Sequence, residues 1–108
     1  MRADIIHGDN LRALRELESG SYSMIYIDPP FNTGTVQRWT TKMSYSDTFD
    51  DYLGFLEPRL IEAYRLLKPD GSLFFHIDYR EVHYCKVLLD SIFGRASFQN
   101  EIIWAYDY

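Results

Sequence analysis

Four short apolar runs, residues 3–7, 24–27, 73–77 and 101–104, alternate along the chain with segments whose apolar residues recur at helical spacing. A strand that is apolar at every position must be covered on both faces, and helices between such strands supply the cover. The order strand, helix, strand, helix, strand, helix, strand therefore predicts an α/β domain built on a doubly wound, mostly parallel sheet with right-handed crossovers. A chain of 108 residues suffices for one core. No internal repeat, linker or low-complexity segment divides it.

The first helix is expected after Gly8-Asp9-Asn10, with Leu11, Leu14 and Leu17 on one stripe, Asp9 or Asn10 as its cap and Ser19-Gly20 as its stop. A second spans residues 50–67, with Leu53, Leu56, Leu60, Tyr64 and Leu67 inward, and Pro58 is expected to kink or split it. The third, residues 82–93, turns Val82, Cys85, Leu88, Leu89 and Ile92 inward. Lys68-Pro69-Asp70-Gly71 reads as a turn. Residues 32–47 are polar, with Gly34 and four Thr, and too long for a plain connector, so they read as a functional loop.

Composition narrows the function. Nine Tyr, seven Phe and two Trp are more than so small a core hides easily, so some rings face a ligand or partner, or tyrosines rim the core. A net charge of -5 gives no electrostatic footprint for a phosphate backbone, so any grip on nucleic acid comes from elsewhere. The single Cys85 excludes a disulfide framework and a cysteine zinc site, and it reads as a small buried apolar residue in a reducing cytoplasm. His7, His76 and His83 lack a metal-ligand spacing, so no metal is expected. Neither a bilayer-spanning run of about 20 apolar residues nor a signal-peptide core is visible, and the expectation is a cytoplasmic protein without a membrane segment.

The run 24–27 stops at Asp28-Pro29-Pro30-Phe31, because proline cannot continue a central ladder. In an open α/β sheet, ligands bind at the carboxyl ends of the strands, which is where these residues fall. Two prolines hold the backbone extended and remove two N–H donors, leaving carbonyl oxygens to accept hydrogen bonds. The Asp28 carboxylate is a second kind of acceptor, and Phe31 offers a flat face. Two acceptors beside an aromatic ring suit a planar ligand carrying an NH₂ group, such as a nucleobase. His76, at the end of another strand, reads either as a wall of this site or as a structural histidine.

Asp28-Pro29-Pro30-Phe31 after an apolar strand resembles the catalytic motif of DNA amino-methyltransferases, Asp/Asn/Ser-Pro-Pro-Tyr/Phe. Its surroundings are similar to those in beta-class enzymes and type III modification subunits. Gly8-Asp9 opens a helix that leads to Ile25-Tyr26-Ile27-Asp28-Pro29-Pro30-Phe31-Asn32-Thr33-Gly34. Tyr45-Ser46-Asp47-Thr48-Phe49, Leu66-Leu67-Lys68-Pro69-Asp70-Gly71 and a helix ending Ile92-Phe93-Gly94 follow in the family's order. The likeness covers nearly the whole chain.

The resemblance implies a class I S-adenosylmethionine-dependent methyltransferase (Rossmann-like) fold, here partial. It also implies methyl transfer to the exocyclic amino group of adenine or cytosine in DNA, in a restriction-modification setting. It gives the catalytic motif to Asp28, Pro29, Pro30 and Phe31: the Asp28 carboxylate and the Pro29 carbonyl accept from the target amino group, and Phe31 stacks on a base flipped out of the duplex. Cofactor contact falls to Asp28 and to Asp9, for which a plain helix cap is the alternative. The family's Phe-x-Gly-x-Gly cofactor loop has no counterpart among the six glycines. Residues 1–108 are therefore expected to be the catalytic-motif half of a methyltransferase domain, without the cofactor loop or the target-recognition region. Arg38, Trp39 and Lys42 either touch DNA or belong to a solvated loop. Partners are DNA with a flipped target base and, through an unpaired strand edge, a possible homo-oligomer. An RNA or protein amino-methyltransferase, or an inactive fragment acting as a binding module, are the other readings.

Overall fold

The computed structural model describes residues 2–38, 44–47 and 49–107. Along the chain lie α1 (Asn10–Arg15), β1 (Tyr22–Ile27), β2 (Thr35–Arg38), β3 (Ser44–Asp47), α2 (Tyr52–Leu66), β4 (Leu67–Phe75) and α3 (Val82–Phe93), followed by a single 3₁₀ turn, Arg95–Ser97. Strands β1 and β4 pair in parallel, with Ile25 opposite Leu73, Tyr26 opposite Phe74 and Ile27 opposite Phe75. Alternation then sorts the two faces. Ile27 and Phe75 pack on the core, whereas Tyr22, Met24, Tyr26 and Phe74 are exposed on the other side.

The core forms where α2 meets α3. Tyr52, Leu56 and Leu60 of α2 bury against Cys85 of α3, and Leu88, Leu89 and Ile92 pack around them. Leu56 and Leu60 are wholly enclosed, and each such side chain contributes about 1.5–3 kcal/mol relative to exposure. The stripe Leu56, Leu60, Ala63 explains why this segment is helical, since those positions fall on one face. Asp51 caps it, accepting from the Gly54 N–H at 2.9 Å. Pro58 does not split the helix as its ring would suggest: α2 runs unbroken through it. The helical donor that proline lacks would have served the carbonyl of Gly54, an exposed residue near the start of the helix, where the loss costs least.

Helix α3 matches the expected span of residues 82–93 and ends where Gly94 adopts φ +91°, a conformation that side chains resist. Helix α1 is only six residues long and stops at Arg15, short of Ser19-Gly20. Helices that short do not persist alone. Asp9 caps α1 by accepting from the Leu11 N–H at 3.3 Å, and Arg65 of α2 binds its far end, donating to the carbonyls of Leu14 and Leu17, both at 2.9 Å.

Other expectations are corrected. Residues 3–7 and 101–104 are not strands: both lie outside any helix or strand, with Ile5 99% and Ile102 81% exposed. An apolar run becomes a strand only when its N–H and C=O groups find a ladder partner, and neither has one among the described residues. Among the described residues the doubly wound sheet is accordingly present only as the parallel pair β1 and β4, with helices packed on one face. Residues 32–47 are not wholly loop, because β2 and β3 form an antiparallel pair from Thr35 opposite Asp47 to Arg38 opposite Ser44. Lys68-Pro69-Asp70-Gly71 is an excursion inside β4 and not a turn before it. Tyr22 pairs with Leu67 and Met24 with Ser72, so these four residues bulge out between two registered pairs. Gly71 fits there because a Cβ would lie 3.0 Å from the Tyr22 carbonyl oxygen and 2.9 Å from Leu67 Cδ2.

Candidate active site at the end of β1

Strand β1 ends at Ile27, and Asp28 begins the loop beyond its carboxyl end. Asp28 is exposed, while Pro29, Pro30 and Phe31 are half-buried. A cavity of about 300 Å³ opens there between β1 and α2. Asp28, Pro29 and Pro30 line one wall, Asn10 and Leu14 come from α1, and Phe55, Leu56 and Arg59 from α2. The lining combines apolar residues with a carboxylate, a carboxamide and a guanidinium, Asp28, Asn10 and Arg59, which is the mixture that binds a ligand with both flat and hydrogen-bonding parts.

The loop is fixed from three sides. The Tyr52 hydroxyl donates to the Pro30 carbonyl, reaching it from the buried start of α2. Asn32, at φ +61°, donates from Nδ2 to Glu81 Oε1 at 3.0 Å and accepts at Oδ1 from the Phe49 N–H, also at 3.0 Å. Asn is among the few side chains that tolerate that backbone region, and here both ends of its amide are used to hold it. The third support is His76, whose N–H donates to the Ile27 carbonyl at 2.8 Å and whose ring lies 5.5 Å from that of Phe31.

Of the residues singled out in the sequence, Asp28, Pro29 and Pro30 come together on the cavity wall, with Phe31 following directly. Asp9 stands beside the cavity-lining Asn10 and does two things: it caps α1 and pairs with Arg59 Nη2 at 2.9 Å. His76 lies against Phe31, with its Nδ1 hydrogen-bonded to the Tyr26 hydroxyl. Arg38 closes β2, and Trp39 and Lys42 lie outside the described residues. Cys85 is fully buried, and desolvation, with the Glu81 carboxylate adding to it, pushes its thiol up to about 11.

Arg59, Tyr52 and Glu81 are missed by reading along the chain, since their partners lie far from them in sequence. Arg59 leaves one signal. It sits on the apolar stripe between Leu56 and Leu60, where a cation must find a partner to be buried. It finds several: Asn10 Oδ1 at 2.8 Å, Asp9 Oδ1 at 2.9 Å, the Phe55 carbonyl at 2.7 Å and the face of the Phe55 ring at 3.9 Å.

Fold and site together define a small α/β unit in which a parallel strand delivers an Asp-Pro-Pro-Phe loop to an open, mixed-polarity cleft. The chain belongs to the DNA methylase family, whose model matches residues 22–108. It is 38% identical over 109 residues to the type II methyltransferase M.KpnI of Klebsiella pneumoniae, covering 94% of this chain and 26% of that one. It is 34% identical over 125 residues to the type III restriction-modification enzyme StyLTI Mod subunit of Salmonella typhimurium, covering 90% and 19%. With the probable type III restriction-modification enzyme HindVI Mod subunit of Haemophilus influenzae the identity is 42% over 101 residues, covering 89% and 13%. The chain thus spans about a quarter or less of the length of these relatives. No helix among the described residues is long and apolar enough to cross a membrane.

Proposed function

We propose that this chain is the catalytic-motif part of a class I S-adenosylmethionine-dependent methyltransferase domain that methylates the exocyclic amino group of adenine or cytosine in DNA. The single observation that carries the reading is Asp28, exposed at the carboxyl end of β1 on the wall of a cleft, with the Pro29 carbonyl beside it. The relatives named for methyltransferase and modification functions support the substrate class.

An exocyclic amino nitrogen is a weak nucleophile, because its lone pair is delocalised into the ring. The Asp28 carboxylate and the Pro29 carbonyl would accept from its two N–H groups. That draws the nitrogen toward a tetrahedral shape and frees the lone pair for attack, an interaction stronger in the transition state than in the ground state. Asp28 is also the nearby anion for the proton that must leave. Phe31 would stack on the extrahelical base, returning about 1–3 kcal/mol against the cost of flipping. When bound, S-adenosylmethionine supplies an electrophilic methyl group on a sulfonium. The cleft suits such a donor in its chemistry, since Asn10 and Asp28 can meet hydroxyl and amino groups while Leu14 and Phe55 offer apolar surface. Asp9, turned to Arg59, would act there chiefly by fixing that corner.

The reading is tested by incubating the full-length protein with methyl-labelled S-adenosylmethionine and DNA, RNA or protein, then digesting the products. Label in N6-methyladenine or N4-methylcytosine of DNA is expected. Label confined to RNA or protein would refute it.

A further inference from the structure

His76 leaves β4 next to the residue that precedes Asp28, its N–H bonded to the Ile27 carbonyl at 2.8 Å. Its Nδ1 and the Tyr26 hydroxyl lie 2.6 Å apart and share a hydrogen bond, with the two rings edge to face at 6.1 Å and 87°. The imidazole is tilted 34° to the Phe31 ring at 5.5 Å and 35° to the Trp104 ring at 6.4 Å. Phe31 needs such a neighbour. It follows two prolines, outside any ladder, and precedes a residue at φ +61°, so the local backbone gives its ring little direction. Aromatic torsions of this kind occupy broad wells, and packing selects among them. For the imidazole, the hydrogen bond between Nδ1 and the Tyr26 hydroxyl favours the orientation that brings the two together.

We infer that His76 is a positioning residue for base binding: keyed by the Tyr26 hydroxyl, it holds the Phe31 ring in the orientation on which the flipped base stacks. The inference rests on the function proposed above. A histidine that served stability alone would change the melting temperature on removal and leave base binding untouched. A positioning histidine changes how well the base is held and leaves cofactor affinity alone, since it lines no part of the cleft beside Asn10 and Asp28.

The test uses the full-length protein and a duplex that it methylates, with 2-aminopurine at the target position, whose emission rises when the base leaves the stack. His76→Ala is expected to raise KM for DNA about 3- to 10-fold and to cut the emission increase correspondingly, the scale of one aromatic pair. KM for S-adenosylmethionine should stay put. His76→Phe, which restores a ring against Phe31, should recover most of the loss, and Tyr26→Phe should show part of it. His76→Ala with unchanged emission and KM for DNA, or His76→Phe as impaired as His76→Ala, would overturn the inference. If His76→Ala fails to fold, Tyr26→Phe decides, since it removes only a hydroxyl from a half-exposed ring, and a wild-type emission increase there overturns the inference. Wild-type protein that methylates no DNA overturns the functional reading itself, and that result precedes any variant.

Discussion

Tyr52 and Pro30 join the helical core to the catalytic-motif loop: the Tyr52 hydroxyl, at the buried start of α2, donates to the carbonyl of the second proline. The residues that hold the loop after Asp28 are thus drawn from α2 and the segment before α3 as well as from β1. Tyr52→Phe keeps the ring in the core and leaves the Pro30 carbonyl without this donor. A loss of about 1 kcal/mol is expected, seen as a fall in melting temperature of several degrees for a domain of this size. An unchanged melting temperature would mean that the bond carries no net stability.

Arg65→Ala should release the far end of α1. The guanidinium donates to the carbonyls of Leu14 and Leu17 and to Ser19 Oγ, while Glu62 Oε2 pairs with it at 2.7 Å. Without those bonds the six-residue helix is held only at its start, by the Asp9 cap and the Arg59 bonds to Asp9 and Asn10, and its last turn should fray. Native-state hydrogen exchange should show the amides near Ala13 and Leu14 losing about tenfold or more in protection, with α3 amides unaffected. Equal protection in both helices would contradict this.

Cys85 predicts a pH dependence. Its thiol is pushed from an ordinary value of 9.0 up to about 11, first by desolvation and then by Glu81. Below pH 9 folded and unfolded chains both keep the proton. Between about 9 and 11 the unfolded chain ionises and the native one does not, so stability falls with rising pH, by at most about 1.4 kcal/mol per unit. Denaturant unfolding across that range should show a smaller alkaline loss for Cys85→Ala than for the wild type, although the variant is less stable at pH 7. Parallel losses in the two proteins would show that the thiol does not titrate in this way.

The exposed apolar face of Tyr22, Met24, Tyr26 and Phe74 lies beside the outer edges of β1 and β4, which pair with no further strand among the described residues. A 108-residue chain with such a face should associate. Light scattering after size exclusion is expected to give a mass above 12.8 kDa, and a clean monomer at tens of micromolar, roughly, would oppose it.

Much of this was legible in the sequence where the cause is local. The stop of β1 follows from Pro29 and Pro30, and α3 follows from the spacing of Cys85, Leu88, Leu89 and Ile92 with Gly94 behind it. Residues 3–7 and 101–104 misled because an apolar run signals a strand only if another strand is there to pair with it. The β2 and β3 pair was hidden by polar residues, and the bulge at 68–71 depends on Tyr22, far away in sequence. Tyr52, Arg59 and Glu81 belong to the candidate site through contacts that cross the chain, which no local pattern reports.

The most direct measurement is the rate of methyl transfer to DNA by the full-length protein carrying Asp28→Ala. Removing an acceptor that acts on the transition state should lower the rate by about 100-fold or more, with the protein folded and its DNA affinity near that of the wild type. Asp28→Ala that transfers methyl groups at the wild-type rate would contradict the role given to the carboxylate at the end of β1.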